Sequence, residues 1–213
     1  MKLTKFQHAC FTVEKEGKTL IVDPGNISHD FIIPHHISGI IVTHQHADHF
    51  DETRVQALLT KNPSLVIIGH ETIVGRYSDN STIVAKLGET YTVDGFSLQF
   101  FGGAHADITT TVTPPPNLGV LIDNRLYYPG DSFALPNIDV TIKELALPIS
   151  APWLKVSEAM DFLAKANPSF VFPTHDGILS EDGKAIYDRL FGTAASGQKI
   201  TYKRLDNASV ELE

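Results

Sequence analysis

Cysteine is almost absent from this chain of 213 residues, where Cys10 stands alone. A single thiol cannot close an intramolecular disulfide, so nothing requires an oxidising compartment. Its neighbours Ala9 and Phe11 give it an apolar, strand-like setting, which predicts a buried, inert thiol rather than a nucleophile. Long hydrophobic runs are missing as well. No stretch of about eighteen apolar residues exists, and the opening Met1-Lys2-Leu3-Thr4-Lys5 lacks the apolar centre of a secretion signal. A soluble, cytoplasmic protein without membrane contact is expected. Positive charge is also scarce: 17 Lys and Arg against 25 Asp and Glu give a formal charge of −8, with the basic residues scattered. That balance gives a polyanion no electrostatic help, and nucleic acid is not expected as a partner. No low-complexity tract or Ser/Gly/Pro-rich linker divides the sequence. Residues 1–213 therefore read as one domain.

What the chain does have is Thr43-His44-Gln45-His46-Ala47-Asp48-His49, directly after the apolar run Gly39-Ile40-Ile41-Val42. Three imidazoles and a carboxylate in one short loop at a strand end form a metal-site pattern. His44 and His46, two apart in extended backbone, point the same way and can grip one ion. Asp48 and His49, past a bend, are free to face a second.

Around this loop the sequence is mostly β-structure punctuated by turns. Residues 6–13 and 19–22 read as a hairpin across Glu14-Lys15-Glu16-Gly17-Lys18. Strands are predicted over 39–43 and 65–68, with helices over 51–61 and 71–77. Further strands fall over 89–93, 96–101, 119–122 and 125–128. Residues 109–117, with Pro114-Pro115-Pro116, must be loop. A strand over 144–147 precedes a helix over 155–166 with Val156, Ala159, Met160 and Leu163 on one face. Residues 170–172 follow as strand, 181–191 as helix, and 200–203 and 209–212 as strands. Two batches of strands, each with helices, favour two sheets packed face to face with helices outside.

Three more candidate ligands each follow a strand-like segment. His105 comes after Gly102-Gly103, Asp131 after Pro129-Gly130, and His175 after Pro173-Thr174. Strand ends gathered at one sheet edge would bring them to the loop at 43–49. Five imidazoles and two carboxylates suffice for two ions if one carboxylate bridges, and they suit zinc, manganese or iron(II) rather than calcium or magnesium. The natural division places His44, His46 and His105 on one ion, Asp48, His49 and His175 on the other, and Asp131 between them. A water shared by two such cations becomes hydroxide near neutral pH.

The order His-x-His-x-Asp-His, then a distant His, then Gly-Asp, then a final His resembles the metallo-β-lactamase superfamily. The resemblance spans nearly the whole chain, from Ile21-Val22-Asp23-Pro24-Gly25 to Pro173-Thr174-His175-Asp176-Gly177. The early His8-Ala9-Cys10-Phe11 is most similar to the branch of small hydrolases that includes ascorbate-6-phosphate lactonase. The resemblance implies an α/β fold, the αβ/βα sandwich of two packed mixed sheets flanked by helices, with the metals at one edge. It also implies that Asp23 orients the metal loop and that His8 lies near the cleft, as proton donor to a leaving group or as a satisfied core histidine.

Departures from better-known members narrow the expectation. Antibiotic-cleaving members usually lack a histidine at the place of His49, and flavodiiron proteins carry an acidic residue at the place of His46. Neither the tRNA-binding arm of ribonuclease Z nor the C-terminal helical domain of glyoxalase II is visible. The expected protein is a binuclear hydrolase in which a hydroxide bridging two divalent ions attacks a small ester, lactone or amide-type substrate, with Asp48 as both ligand and orienting group. A phosphodiesterase acting on a small nucleotide or phospholipid-like substrate, and a non-hydrolytic protein such as a mono-iron dioxygenase or sensor, are the alternatives. His70, Trp153 and Asp176 are candidates to line the pocket, each more often packing or surface. His29, His35 and His36 carry no assignment, and a homo-oligomer is left open.

Overall fold

The computed structural model describes residues 1–78 and 80–213. The first sheet is built from β1 (Lys2–Lys5), β2 (Phe11–Lys15), β3 (Lys18–Val22), β4 (Ile37–Val42), β5 (Val66–Gly69) and β6 (Thr82–Val84). Helices α1 (Glu52–Lys61) and α2 (Glu71–Val74) cover it, the latter running into a 3-10 turn over Gly75–Tyr77. The second sheet takes β7 (Thr90–Val93), β8 (Phe96–Gly102), β9 (Leu118–Ile122), β10 (Leu126–Tyr128), β11 (Glu144–Pro148), β12 (Phe170–Thr174) and β13 (Thr201–Tyr202). Helices α3 (Val156–Ala166) and α4 (Glu181–Gly197) accompany it, and β14 (Ala208–Glu211) returns to the first sheet beside β1. The orders are β14-β1-β2-β3-β4-β5-β6 and β13-β12-β11-β10-β9-β8-β7. This is the αβ/βα sandwich that the resemblance implied.

The alternating direction of side chains along a strand explains the unbroken apolar runs. In β4, Ile41 faces the cluster between the sheets, with Leu20, Val22, Phe96, Val120 and Phe172. Its neighbours Ile40 and Val42 face the other way, against Val55, Leu58 and Leu59 of α1. The second sheet repeats the arrangement, with Leu145, Leu147 and Val171 packed under Ala159, Phe162 and Leu163 of α3 and Phe191 and Ala195 of α4. Helix α1 starts where Asp51 accepts from the Thr53 and Arg54 N–H groups. Helix α3 stops at Asn167, which is left-handed (φ 43°) and precedes Pro168.

Four sequence readings need correction or addition. Residues 6–10 are not strand: the Phe6 N–H reaches the Cys10 carbonyl (2.9 Å) and His8 is left-handed (φ 62°), which breaks extended backbone. The strand at that end is β1, whose four residues are too few for a clear periodic signal. The edge strand β6 adds three residues that are likewise too few for a periodic signal. Helix α4 continues six residues past Phe191, because Ala194 and Ala195 favour helix and Ala195 is fully buried beside Phe191. Finally, the inward face of α3 carries Phe162 besides Val156, Ala159, Met160 and Leu163, with Val156 and Met160 packed half-buried against the same cluster.

Candidate metal centre

The seven candidate ligands meet at one edge of the sandwich. His44, His46 and His105 place one donor atom each within 4.8 Å of one another, as do Asp48, His49 and His175 together with His8, and His44, His49 and Asp131. Local geometry explains each approach. After β4 the His49 and Phe50 N–H groups both donate to the His46 carbonyl (3.0 and 2.8 Å), and this turn separates the first pair of ligands from the second. Left-handed Gly102 (φ 90°) and Gly103 (φ 120°) bend the chain out of β8 towards His105. Gly130 (φ 64°) does the same before Asp131, and a side chain there would strike Asn117. Asn117 in turn accepts from the Asp131 N–H (3.0 Å) and donates to the Pro129 carbonyl (2.9 Å), an anchoring role with no sequence signal beyond its place after the proline run.

The outward-facing nitrogen of each buried imidazole is tied to a fixed group. His49 Nδ1–H donates to Asp23 (2.7 Å), His105 Nδ1–H to the Ala106 carbonyl (2.6 Å) and His175 Nδ1–H to the Ser150 carbonyl (2.6 Å). His44 Nδ1 meets the Thr43 hydroxyl oxygen (3.1 Å), whose own proton goes to Asp23 (2.6 Å). Asp23 also accepts from the Thr43 N–H (2.8 Å), which gives it the loop-orienting place that the resemblance implied. The inner atoms His49 Nε2, His105 Nε2, His175 Nε2 and Asp131 Oδ1 are buried without a hydrogen-bond partner among the described residues. His44 Nε2 faces His46 Nδ1 at 3.1 Å, a spacing that two lone pairs share only across a proton or a cation. Orphaned donor atoms converging in this way fit cations, and a set rich in neutral imidazole fits a transition metal.

The charges are strongly coupled. Burial would keep His49 neutral, but the Asp131 and Asp23 carboxylates outweigh it and raise its pKa well above the ordinary value. His175 is likewise pushed up to about 9, its burial overcome by Asp131 and Asp48. Burial opposes ionisation of Asp131 and Asp48, yet the surrounding imidazoles hold both carboxyls below their usual range. His44 and His46 are lowered by burial and by neighbouring histidines.

This geometry coincides with a family match: residues 2–175 fit the model described as a beta-lactamase superfamily domain. The chain belongs to the metallo-β-lactamase superfamily. Protein Rv0786c of Mycobacterium tuberculosis is 33% identical over 192 residues, covering 88% of this chain and 89% of that protein. A UPF0173 metal-dependent hydrolase of Methanocaldococcus jannaschii is 26% identical over 189 residues, covering 81% and 83% of the two chains. Among solved structures, Igni18, a metallo hydrolase of Ignicoccus hospitalis, superposes with a TM-score of 0.77 at 18% identity over 100% of this chain and 99% of its own.

Two residues of this superfamily member join the centre more closely than its sequence revealed. The half-buried Trp153 indole N–H donates to Asp131 Oδ2 (2.9 Å), and its ring lies 6.0 Å from that of His105. His8 is fully buried and sits against Asp48. Two other candidates take structural roles. His70 caps α2 by accepting from the Thr72 N–H, and Asp176 is buried between Lys5 (2.9 Å) and Arg204 rather than open to a pocket. His29, His35 and His36 lie outside the three clusters. Cys10 is buried, and burial pushes its thiol pKa up, which leaves it inert.

Proposed function

We propose that this chain is a metal-dependent hydrolase holding two divalent transition-metal ions, zinc first and manganese or iron(II) as alternatives, and cleaving a small ester, lactone or amide-type substrate. The observation that carries this reading is the set of inward ring nitrogens on His44, His46, His49, His105 and His175, whose outer nitrogens are mostly engaged elsewhere. In this reading His44, His46 and His105 hold one ion, Asp48, His49 and His175 the other, and Asp131 is shared. Such cations supply Lewis-acid activation of water and of the substrate oxygen. The Asp48 side chain is 25% exposed against 3% for Asp131, so Asp48 is the carboxylate placed to orient the nucleophile and accept its proton. Trp153 gives the cleft an apolar wall beside His105 and His175. Residues 43–50, 103–117, 129–141 and 175–180 contain no lysine or arginine, which favours a carbonyl substrate over a phosphodiester. The name of the Methanocaldococcus relative supports metal-dependent hydrolysis. A shared interior cluster drawn from both sheets supports one domain over residues 1–213.

Ion content and turnover test this reading together. Protein reconstituted with zinc, manganese or iron(II) should hold two ions per chain. It should hydrolyse members of an ester, lactone and thioester panel faster than phosphodiesters, with loss on chelation and recovery on re-addition. One iron per chain with oxygen consumption and no hydrolysis would replace it with the dioxygenase reading.

A further inference from the structure

His8 is a buried histidine with no ligand role in the scheme above, yet its carbonyl and both ring nitrogens have partners. Its carbonyl accepts the His175 N–H (3.1 Å), its Nδ1 accepts the Gly177 N–H (3.2 Å), and its Nε2 lies 3.0 Å from Asp48 Oδ2. The Gly177 contact decides the tautomer. A backbone N–H can only donate, so Nδ1 must present a lone pair, and the proton of the neutral ring must sit on Nε2. An Nε2–H cannot ligate a cation, although the atom lies within the Asp48, His49 and His175 cluster. Nor can it serve a leaving group, because its proton is already directed at Asp48 and the side chain is fully buried. The arrangement is built in: His8 holds a left-handed backbone (φ 62°), and a Cβ on Gly177 would come within 3.0 Å of the His8 Cβ and 2.9 Å of Ile27.

We propose that His8 is a positioning residue: as the Nε2–H tautomer it clamps the Asp48 carboxylate to the loop carrying His175, so that both present their donors to the same ion. This rests on the reading of Asp48 and His175 as ligands of one ion. The bond falls on Asp48 Oδ2, the oxygen that also lies 3.4 Å from His175 Nε2 and 3.7 Å from His49 Nε2, and it removes the carboxylate's freedom to rotate away. The backbone bonds from His175 to the His8 carbonyl and from Gly177 to its ring hold the second loop to the same residue.

Two measurements test the proposal. Long-range proton–nitrogen NMR correlation of histidine-labelled wild-type protein, ion-free and zinc-loaded, should show His8 neutral with the proton on Nε2 in both states. A proton on Nδ1, or an Nε2 shift characteristic of zinc ligation, overturns it. Chelator competition with zinc should show the second ion binding about 10–100-fold more weakly in His8→Ala, with the first ion changed less than about 2-fold. In His8→Gln, whose amide can still donate to Asp48, most of that loss should be restored. Equal weakening of both ions, or unchanged binding in His8→Ala, overturns the positioning role while leaving the two-ion reading intact. A wild-type protein that takes up no second ion overturns both. If His8→Ala fails to fold, the wild-type tautomer still decides the matter.

Discussion

Protons and cations compete for the same atoms at this centre. Without ions, Asp131, Asp48 and Asp23 hold protons on His49 and His175 at neutral pH, because both pKa values are raised, that of His175 to about 9. Zinc loading at pH 7 should therefore release about two protons per chain, and affinity should climb as pH rises towards 9. Calorimetry in two buffers of different ionisation enthalpy measures the release, and a value near zero would contradict the charge assignment. The sign for stability runs the other way. Raised histidines stabilise the ion-free fold below their unfolded value of about 6.5, and the His175 part of that contribution disappears as pH rises through about 9. Ion-free protein should accordingly melt at lower temperature at pH 9 than at pH 6.5, and zinc-loaded protein should lose less over that interval. Asp131 and His70 make a second contrast. Asp131→Ala should lower the content of both ions by more than tenfold in metal analysis, since the carboxylate contacts both groups of ligands. His70→Ala should cost about 1 kcal/mol of stability through the lost cap and leave ion content unchanged. Equal losses would mean that Asp131 is not shared.

Between elements, the decisive contact is backbone against backbone. The turn after β3 packs so closely on the metal loop that a Cβ on Gly25 would lie 1.7 Å from the Asp48 carbonyl oxygen. Arg54 of α1 donates to the Gly25 carbonyl (2.7 Å), and Asn26 N–H donates to the Ala47 carbonyl (2.8 Å), so neither loop can simply retreat. Gly25→Ala should displace the Asp48–His49 segment and reduce zinc content to about one ion per chain or less. Its far-ultraviolet circular dichroism should stay close to wild type, because the strands lie outside the collision. Two ions retained at full affinity would show that the two loops are not mutually constrained.

Across the whole molecule, the two sheets are tied by a buried charge cluster. Lys5 ends β1 in the first sheet, and its fully buried ammonium donates to Asp176 (2.9 Å) after β12 in the second and to the Phe6 carbonyl (2.7 Å). Arg204 binds Asp176 from the far side and also pairs with Asp188 (2.7 Å) in α4. Lys5→Met should destabilise the fold by about 3 kcal/mol, the low end of the range for breaking a buried pair, since Arg204 still neutralises Asp176. Urea unfolding checks the value. A change below about 0.5 kcal/mol, the size expected of an exposed pair, would show that the cluster contributes little. None of the helices among the described residues is long and apolar enough to cross a membrane.

The sequence by itself determined the seven candidate ligands, the two batches of strands and the layered order. Those features are local: ligand chemistry demands particular residue types at short spacings, and a strand buried on both faces shows as an apolar run such as Ile40-Ile41-Val42. It misplaced the first strand because His8 lies in a left-handed corner, a conformation that the neighbouring apolar residues do not announce. Tertiary structure alone decided the pairings His8 with Asp48, Trp153 with Asp131 and Lys5 with Asp176, the last 171 positions apart. Buried donors and acceptors of many kinds can satisfy one another. Which two meet is settled by how the sheets pack, and no short window of sequence contains that choice.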